Sequence, residues 1–228
     1  MQAKRRIEVG QAIIECVIHG SGHTIVLLPG LGGDVSQFDD LAQALSNAGF
    51  RTVAINPRGV GNSVGPREPL ALHDLAADVA GVITALDAAP THLLGRAFGN
   101  RVARCVAADY PALVQSVILL AAGGLVEPEP EAQAAFQRGL RQDLPERERL
   151  KALKVALFSP ASPPALAALW TIWPAAAAVQ ARANQATPLT DWWAGGTAPL
   201  LVVQGLDDRL ALLAMAVRSG TSLVHACV

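Results

Sequence analysis

Short apolar runs alternate along the chain with segments that are apolar on one helical face. Ile13 to Ile18 reads as a strand, His19-Gly20-Ser21-Gly22 as a tight turn, and Thr24 to Leu28 as a second strand. The run Ile25-Val26-Leu27-Leu28 has no polar interruption, the pattern of a strand buried on both faces. From Ser36 onward Phe38, Leu41 and Leu45 share one helical face, and Gly49 closes the segment. Thr52 to Ile55 predicts the next strand, followed by a Gly/Pro-rich loop to Pro69 and an amphipathic helix marked by Leu72, Leu75, Val79, Val82 and Leu86. His92 to Leu94, Phe98 to Asp109, Val117 to Leu120 and Leu200 to Val203 continue the series as strand, helix, strand and strand. This alternation predicts an α/β protein, a mostly parallel central sheet covered by helices on both faces.

The rhythm breaks between about Gly124 and Gly196, where the sequence turns helical and rich in Pro and Ala. The expected organisation is therefore a discontinuous core, residues 1–123 and 197–210, a helical cap over 124–196, and a tail, 211–228. Trp170, Trp173, Trp192 and Trp193 all fall in the cap segment. Two roles stand open for them: packing the cap onto the body, or lining an apolar substrate pocket beneath it. Val155 to Ala181 holds no charged residue, but Pro160, Pro163, Pro164 and Pro174 make it a poor membrane span and a better soluble helical segment.

Composition narrows the classes. The 228 residues are 51% apolar and 16% charged, enough for one domain with a full core. A formal net charge of −1 supplies no field to recruit nucleic acid or an anionic membrane surface. Cys16, Cys105 and Cys227 are widely spaced and form no C-x-x-C pair, which argues against a disulfide framework or a zinc knuckle and for a cytoplasmic setting. Lys4, Arg5 and Arg6 are followed by no long apolar run, so the opening does not read as a secretory signal.

Four glycine-bearing loops follow predicted strands: Leu28-Pro29-Gly30-Leu31-Gly32-Gly33, Asn56-Pro57-Arg58-Gly59-Val60-Gly61-Asn62-Ser63, Gly95-Arg96-Ala97-Phe98-Gly99 and Gly205-Leu206-Asp207-Asp208. In this order the chain resembles the α/β-hydrolase superfamily over residues 10 to 210, in an esterase-like, capped branch. The resemblance implies an oxyanion hole from the backbone amides of Leu31 and Phe98. It implies a nucleophile elbow, G-x-S-x-G, at Gly95 to Gly99, and a catalytic acid at Asp208, with Asp207 its exposed neighbour. The plainer reading of both carboxylates is solvation of a turn.

Two departures matter more than these agreements. The elbow position that carries a hydroxyl in the family carries a methyl group, Ala97, so no acyl-enzyme forms through it. Three accounts stand open: a serine substituted away, a natural loss or replacement of the nucleophile, or water attacking with the remaining acid and amides. The family's histidine, placed after a further strand, is also absent. His225 lies in Leu223-Val224-His225-Ala226 without the expected glycine; His19, His23 and His92 fall near strand starts, and His73 begins a surface helix. Arg96 beside the elbow either attracts a carboxylate or faces solvent.

The tail adds an expectation of its own. Back-translation from Ala211 in a shifted frame permits a proline-bearing loop, a helix and the start of a strand, the family's usual continuation; on this reading the last strand and its histidine are lost to a frameshift. An edge strand left bare in this way predicts marginal stability. The function expected is that of a small ester or carbonyl hydrolase lineage, impaired in this chain, with a small apolar or ester-like molecule as partner. The alternative is a non-catalytic binding protein on the same fold. No metal or cofactor is expected: Gly30-Leu31-Gly32-Gly33 lacks the further glycine and acidic residue of a dinucleotide site.

Overall fold

The structure is a computed structural model that describes residues 3–159 and 171–212. In chain order the elements are β1 (Ala3–Val9), β2 (Ala12–His19), β3 (Thr24–Leu28), α1 (Asp39–Asn47), β4 (Arg51–Ile55), α2 (Leu72–Ala85), β5 (Thr91–Arg96), α3 (Gly99–Asp109) and β6 (Val114–Leu120). Then come α4 (Pro130–Leu140), α5 (Glu146–Leu157), α6 (Pro174–Ala186), α7 (Leu189–Trp192) and β7 (Leu200–Val203). The described strands form one sheet in the order β1-β2-β4-β3-β5-β6-β7. β4, β3, β5, β6 and β7 run parallel, and β1 and β2 run antiparallel to their neighbours.

The uninterrupted apolar strands split their residues between two cores. On β3, Val26 and Leu28 face the α2–α3 side while Ile25 and Leu27 join Phe38 and Ala42 on the α1 side. β4 and β5 divide in the same way, with Val53, Ile55 and Leu93 on one side and Ala54 and Leu94 on the other. Each fully buried side chain of this kind contributes about 1.5–3 kcal/mol over an exposed one, which is why polar residues are excluded from both faces.

Two local details differ from the sequence pattern. β1 was not expected: it is a mostly exposed edge strand in which only Ile7 and Val9 pack on the core, while Lys4, Arg5 and Arg6 pair across to Val17, Cys16 and Glu15. Gly10, at φ +55°, makes its two-residue turn into β2. Charged side chains along such an edge discourage pairing with other chains. The helix expected from Ser36 starts later. Asp34 accepts a hydrogen bond from the Ser36 amide (3.0 Å) and caps a single tight turn, Val35–Phe38, from which α1 continues.

Because five strands are parallel, their C-terminal ends lie along one edge. That edge carries the loops after β3, β4, β5 and β7 and faces the helices α4 to α6, which the chain supplies between β6 and β7. Antiparallel β2 instead ends at the opposite edge, where His19 pairs with Thr52 at the start of β4, and His92 pairs with Ile25 near the start of β3. These histidines are on the wrong edge to serve the elbow. Among the described residues no helix is long and apolar enough to cross a membrane. The expectations about a missing last strand and a shifted frame, together with Trp170, His225 and Cys227, lie outside the described residues.

Candidate functional site

The turn between β5 and α3 is tight enough to dictate its own glycines. A Cβ on Gly95 would lie 2.4 Å from the Asn100 Cα, and one on Gly99 would lie 2.2 Å from the Leu28 carbonyl oxygen. Only glycine allows strand, turn and helix to approach this closely. Between them Ala97 sits at φ +47°, in the left-handed region. That conformation costs an alanine about 1–2 kcal/mol. The turn is held against it: the Ala97 amide donates to the Leu120 carbonyl (2.9 Å), and the Asn100 amide and side chain both donate to the Ala97 carbonyl. The strained elbow geometry is thus intact, although its side chain is a methyl group.

The loop after β3 folds against this elbow. A Cβ on Gly30 would lie 3.7 Å from the Ala97 Cβ. The Gly30 amide donates to Gln37 Oε1 (3.2 Å), the Gly32 amide to Gln180 Oε1 (2.7 Å) and the Gly33 amide to the Gly30 carbonyl (2.9 Å). Among the described residues, nothing accepts from the amides of Leu31 and Phe98. Leu31, Ala97 and Phe98 line one cavity of about 370 Å³, roofed by Phe136 and Gln137 of α4, Leu157 of α5 and Asn184 of α6.

Three charged side chains reach this cavity among the described residues: Arg96, Arg101 and Asp208. Arg96 is not the solvated surface arginine that sequence left open. Burial pushes its guanidinium down to about 10, with the Asp208 carboxylate opposing, so it remains cationic at neutral pH. Its Nη1 donates to Gln37 Oε1 (3.1 Å). Asp208 Oδ1 accepts from the amides of Leu210 (2.9 Å) and Ala211 (2.7 Å), and its Oδ2 accepts from Gln204 Nε2 (3.2 Å). This carboxylate closes its own turn, and no histidine lines the cavity among the described residues. Asp207 points elsewhere and accepts from Ser159 Oγ (2.8 Å).

Of the tryptophans considered for the pocket, Trp173, Trp192 and Trp193 are described. Trp192 is buried in the main core, and Trp193 packs against that core with the Arg104 guanidinium 4.2 Å from its ring centroid. Trp173 donates from Nε1 to Asp34 Oδ2 (3.2 Å), and its amide donates to the Gly32 carbonyl (2.7 Å). None of these three is among the residues lining the cavity. Sequence reading passed over Gln37, Gln180 and Arg101. Arg101 had a signal, since it follows Ala97 by four residues and so returns to the same face of the turn and helix; the two glutamines had none.

A separate group of metal-ligand types lies on the α2–α3 face. His73, Cys105 and Asp109 bring one ligand atom each within 4.8 Å of one another. His73 Nδ1 is 2.8 Å from Asp109 Oδ2, and its Nε2 is 3.4 Å from Asp191 Oδ2. Burial pushes the Cys105 thiol well above its ordinary range, so as it stands the sulfur is a protonated thiol that donates to Asp109. These bonds explain the cluster without an ion.

Comparison with known proteins agrees with the geometry. The alpha/beta hydrolase fold family model matches residues 23–157. A 2-(acetamidomethylene)succinate hydrolase from Mesorhizobium japonicum is 33% identical over 116 residues, 51% of this chain and 41% of that protein. A pyrrolizixenacetamide deacetylase from Xenorhabdus hominickii is 33% identical over 118 residues, 51% of this chain and 44% of that protein. The matched part thus spans less than half the length of these curated relatives. An esterase from Exiguobacterium antarcticum superposes with a TM-score of 0.81 at 21% identity, covering 96% of this chain and 89% of that one, a likeness of fold. With its parallel sheet, its glycine-walled elbow and a family model that matches more than half of its length, the chain belongs to the alpha/beta hydrolase fold family.

Proposed function

We propose that this chain descends from small ester or amide hydrolases and binds a small carbonyl compound in the elbow cavity without forming an acyl-enzyme. The observation that carries this reading is Ala97 in the left-handed elbow conformation, where a nucleophile would stand and a methyl group does. The amides of Leu31 and Phe98, residues that line the cavity and whose N–H groups have no acceptor among the described residues, support a carbonyl oxygen as the group received there, since two backbone donors converging on it would polarise it. The described helices α4, α5 and α6 contribute residues that roof the site, in support of a cap role for this part of the chain. The names of the relatives, an acetamidomethylene hydrolase and a deacetylase, support acyl esters or N-acyl amides as the class.

The test is titration of the purified protein with p-nitrophenyl acetate and with an N-acetyl amide, monitored by intrinsic tryptophan fluorescence, product release and intact mass. Saturable quenching with no acetyl adduct and no product above the buffer rate is expected. An acetyl adduct on the protein with steady product release would overturn the proposal. A second reading has water attacking the bound carbonyl, and the presence of Asp208 in the same cavity favours it. Product release without an adduct, lost in Asp208→Asn, would replace the first reading by this one.

A further inference from the structure

The buried and partly buried arginines of this chain are not bonded alike. Arg58 meets Asp78 through two hydrogen bonds, Nε to Oδ2 at 2.7 Å and Nη2 to Oδ1 at 2.8 Å. Arg104, itself fully buried, donates from Nη1 to the Trp193 carbonyl (3.1 Å) while lying over that residue's ring, with no hydrogen-bond acceptor for its Nε and Nη2 among the described residues and with no opening onto the elbow cavity. Arg101 has the ring of Trp192 at 5.6 Å from its guanidinium carbon; its amide donates to the Phe98 carbonyl (3.0 Å), while among the described residues no carboxylate or carbonyl accepts from its guanidinium. Burial draws its pKa below the ordinary arginine range, yet the group stays charged at neutral pH. A desolvated cation without an anionic partner is costly, and the cost is removed when a ligand supplies the anion.

Position gives this cation a purpose. Arg101 lies in the first turn of α3, lines the elbow cavity together with Arg96, and shares that cavity with the amides of Leu31 and Phe98. Asp208, the acidic group of the lining among the described residues, already accepts from two backbone amides and from Gln204. Gln133, Gln137, Asn184 and Gln185 complete the polar lining and are neutral. Among the described residues, two guanidinium groups against one internally bonded carboxylate leave the cavity lining locally positive in a chain whose net charge is −1. The positive end of α3 adds to the same side.

Resting on the reading of this cavity as the ligand site, we propose that its ligand carries a free carboxylate as well as the acyl carbonyl: the carbonyl oxygen meets the Leu31 and Phe98 amides, and the carboxylate is held by Arg101 with Arg96. A planar fork is suited to such a carboxylate, and the Trp192 ring lies on one side of the Arg101 guanidinium, 5.6 Å from its carbon.

N-acetyl-β-alanine and its methyl ester differ in this one charge and serve as the probes. Tryptophan fluorescence, with calorimetry to check it, is expected to show the acid binding at least tenfold more tightly than the ester, with the advantage shrinking as salt rises. Arg101→Gln is expected to bring the two probes to equal affinity, and Arg101→Lys to restore part of the preference; circular dichroism melts establish that both variants are folded. Equal affinity of the two probes for the unaltered protein, or an undiminished preference in folded Arg101→Gln, overturns the carboxylate assignment and leaves the cavity reading standing. Failure of both probes to bind overturns the assignment and the cavity reading together. The salt dependence of the unaltered protein tests the same point without any substitution.

Discussion

The loop after β4 and the elbow after β5 lie on one sheet edge, on either side of β3, and treat their polar groups in opposite ways. Around the β4 loop the buried and partly buried charges, Glu15, Arg58 and Asp78, are answered from within. Glu15 accepts from Asn56 Nδ2 (2.7 Å), from the Asn62 amide (3.0 Å) and from Asn62 Nδ2 (2.7 Å), while Arg58 is clamped on Asp78. Although burial pushes the Glu15 carboxyl up, the bonds from Asn62 and Asn56 outweigh it and hold the group below its ordinary value. At the elbow the Leu31 and Phe98 amides and the Arg101 guanidinium have no internal acceptor among the described residues. A closed polar network holds the fold together at the β4 loop, whereas the open groups at the elbow belong to residues that line a cavity, and the contrast runs along one sheet edge.

Asp78→Ala tests the closed network most severely. It removes the partner of a guanidinium whose side chain is 11% exposed and leaves that cation buried. A loss of about 3–5 kcal/mol is expected from stranding a buried charge in this way. Chemical denaturation measures it, and binding of the carboxylate probe by the folded fraction is expected to stay unchanged. A large change in probe affinity at full folding would mean that the two regions are coupled and the division is false.

How much of this was readable in advance follows the same division. The strands were legible because Ile25 to Leu28 had to satisfy two apolar faces at once, and the elbow was legible because Gly95 and Gly99 are the residues its backbone approach permits. Whether Arg96 faced water or the cavity could not be read, since a single residue at a strand end carries no periodicity. β1 escaped because Lys4, Arg5 and Arg6 give an exposed edge strand the composition of a solvated terminus. Gln180 escaped for a different reason: it meets the Gly32 amide across 148 positions, and a contact set by tertiary packing leaves no trace in local pattern.

A smaller effect sharpens the elbow side. At φ +47° the Cβ of Ala97 is a source of strain, and glycine relieves it. Ala97→Gly is therefore expected to stabilise the fold by up to about 1 kcal/mol, the gain from the left-handed conformation being offset in part by the freer unfolded chain. Thermal melts read this directly. A clear destabilisation would show that the methyl group is a packing element of the cavity floor and not a remnant left at a functional turn.

The least effect comes from the cluster that belongs to neither class. His73 lies between Asp109 and Asp191 with 42% of its side chain exposed, so its network is internally bonded yet open to water. The hydrogen bond to Asp109 raises its pKa most, burial lowers it, and the bond to Asp191 raises it again, for a net upward direction. Its contribution is accordingly full below the unfolded histidine pKa of about 6.5 and is lost as pH rises through the higher folded value. Screening by water keeps the effect under about 1 kcal/mol. The melting temperature is expected to fall slightly across that window, and His73→Asn is expected to flatten the slope. Because His73 touches no residue of the elbow cavity lining, probe affinity is expected to show no matching pH step; a step at the same pH would extend the open, ligand-linked region from the elbow across α3 to this face.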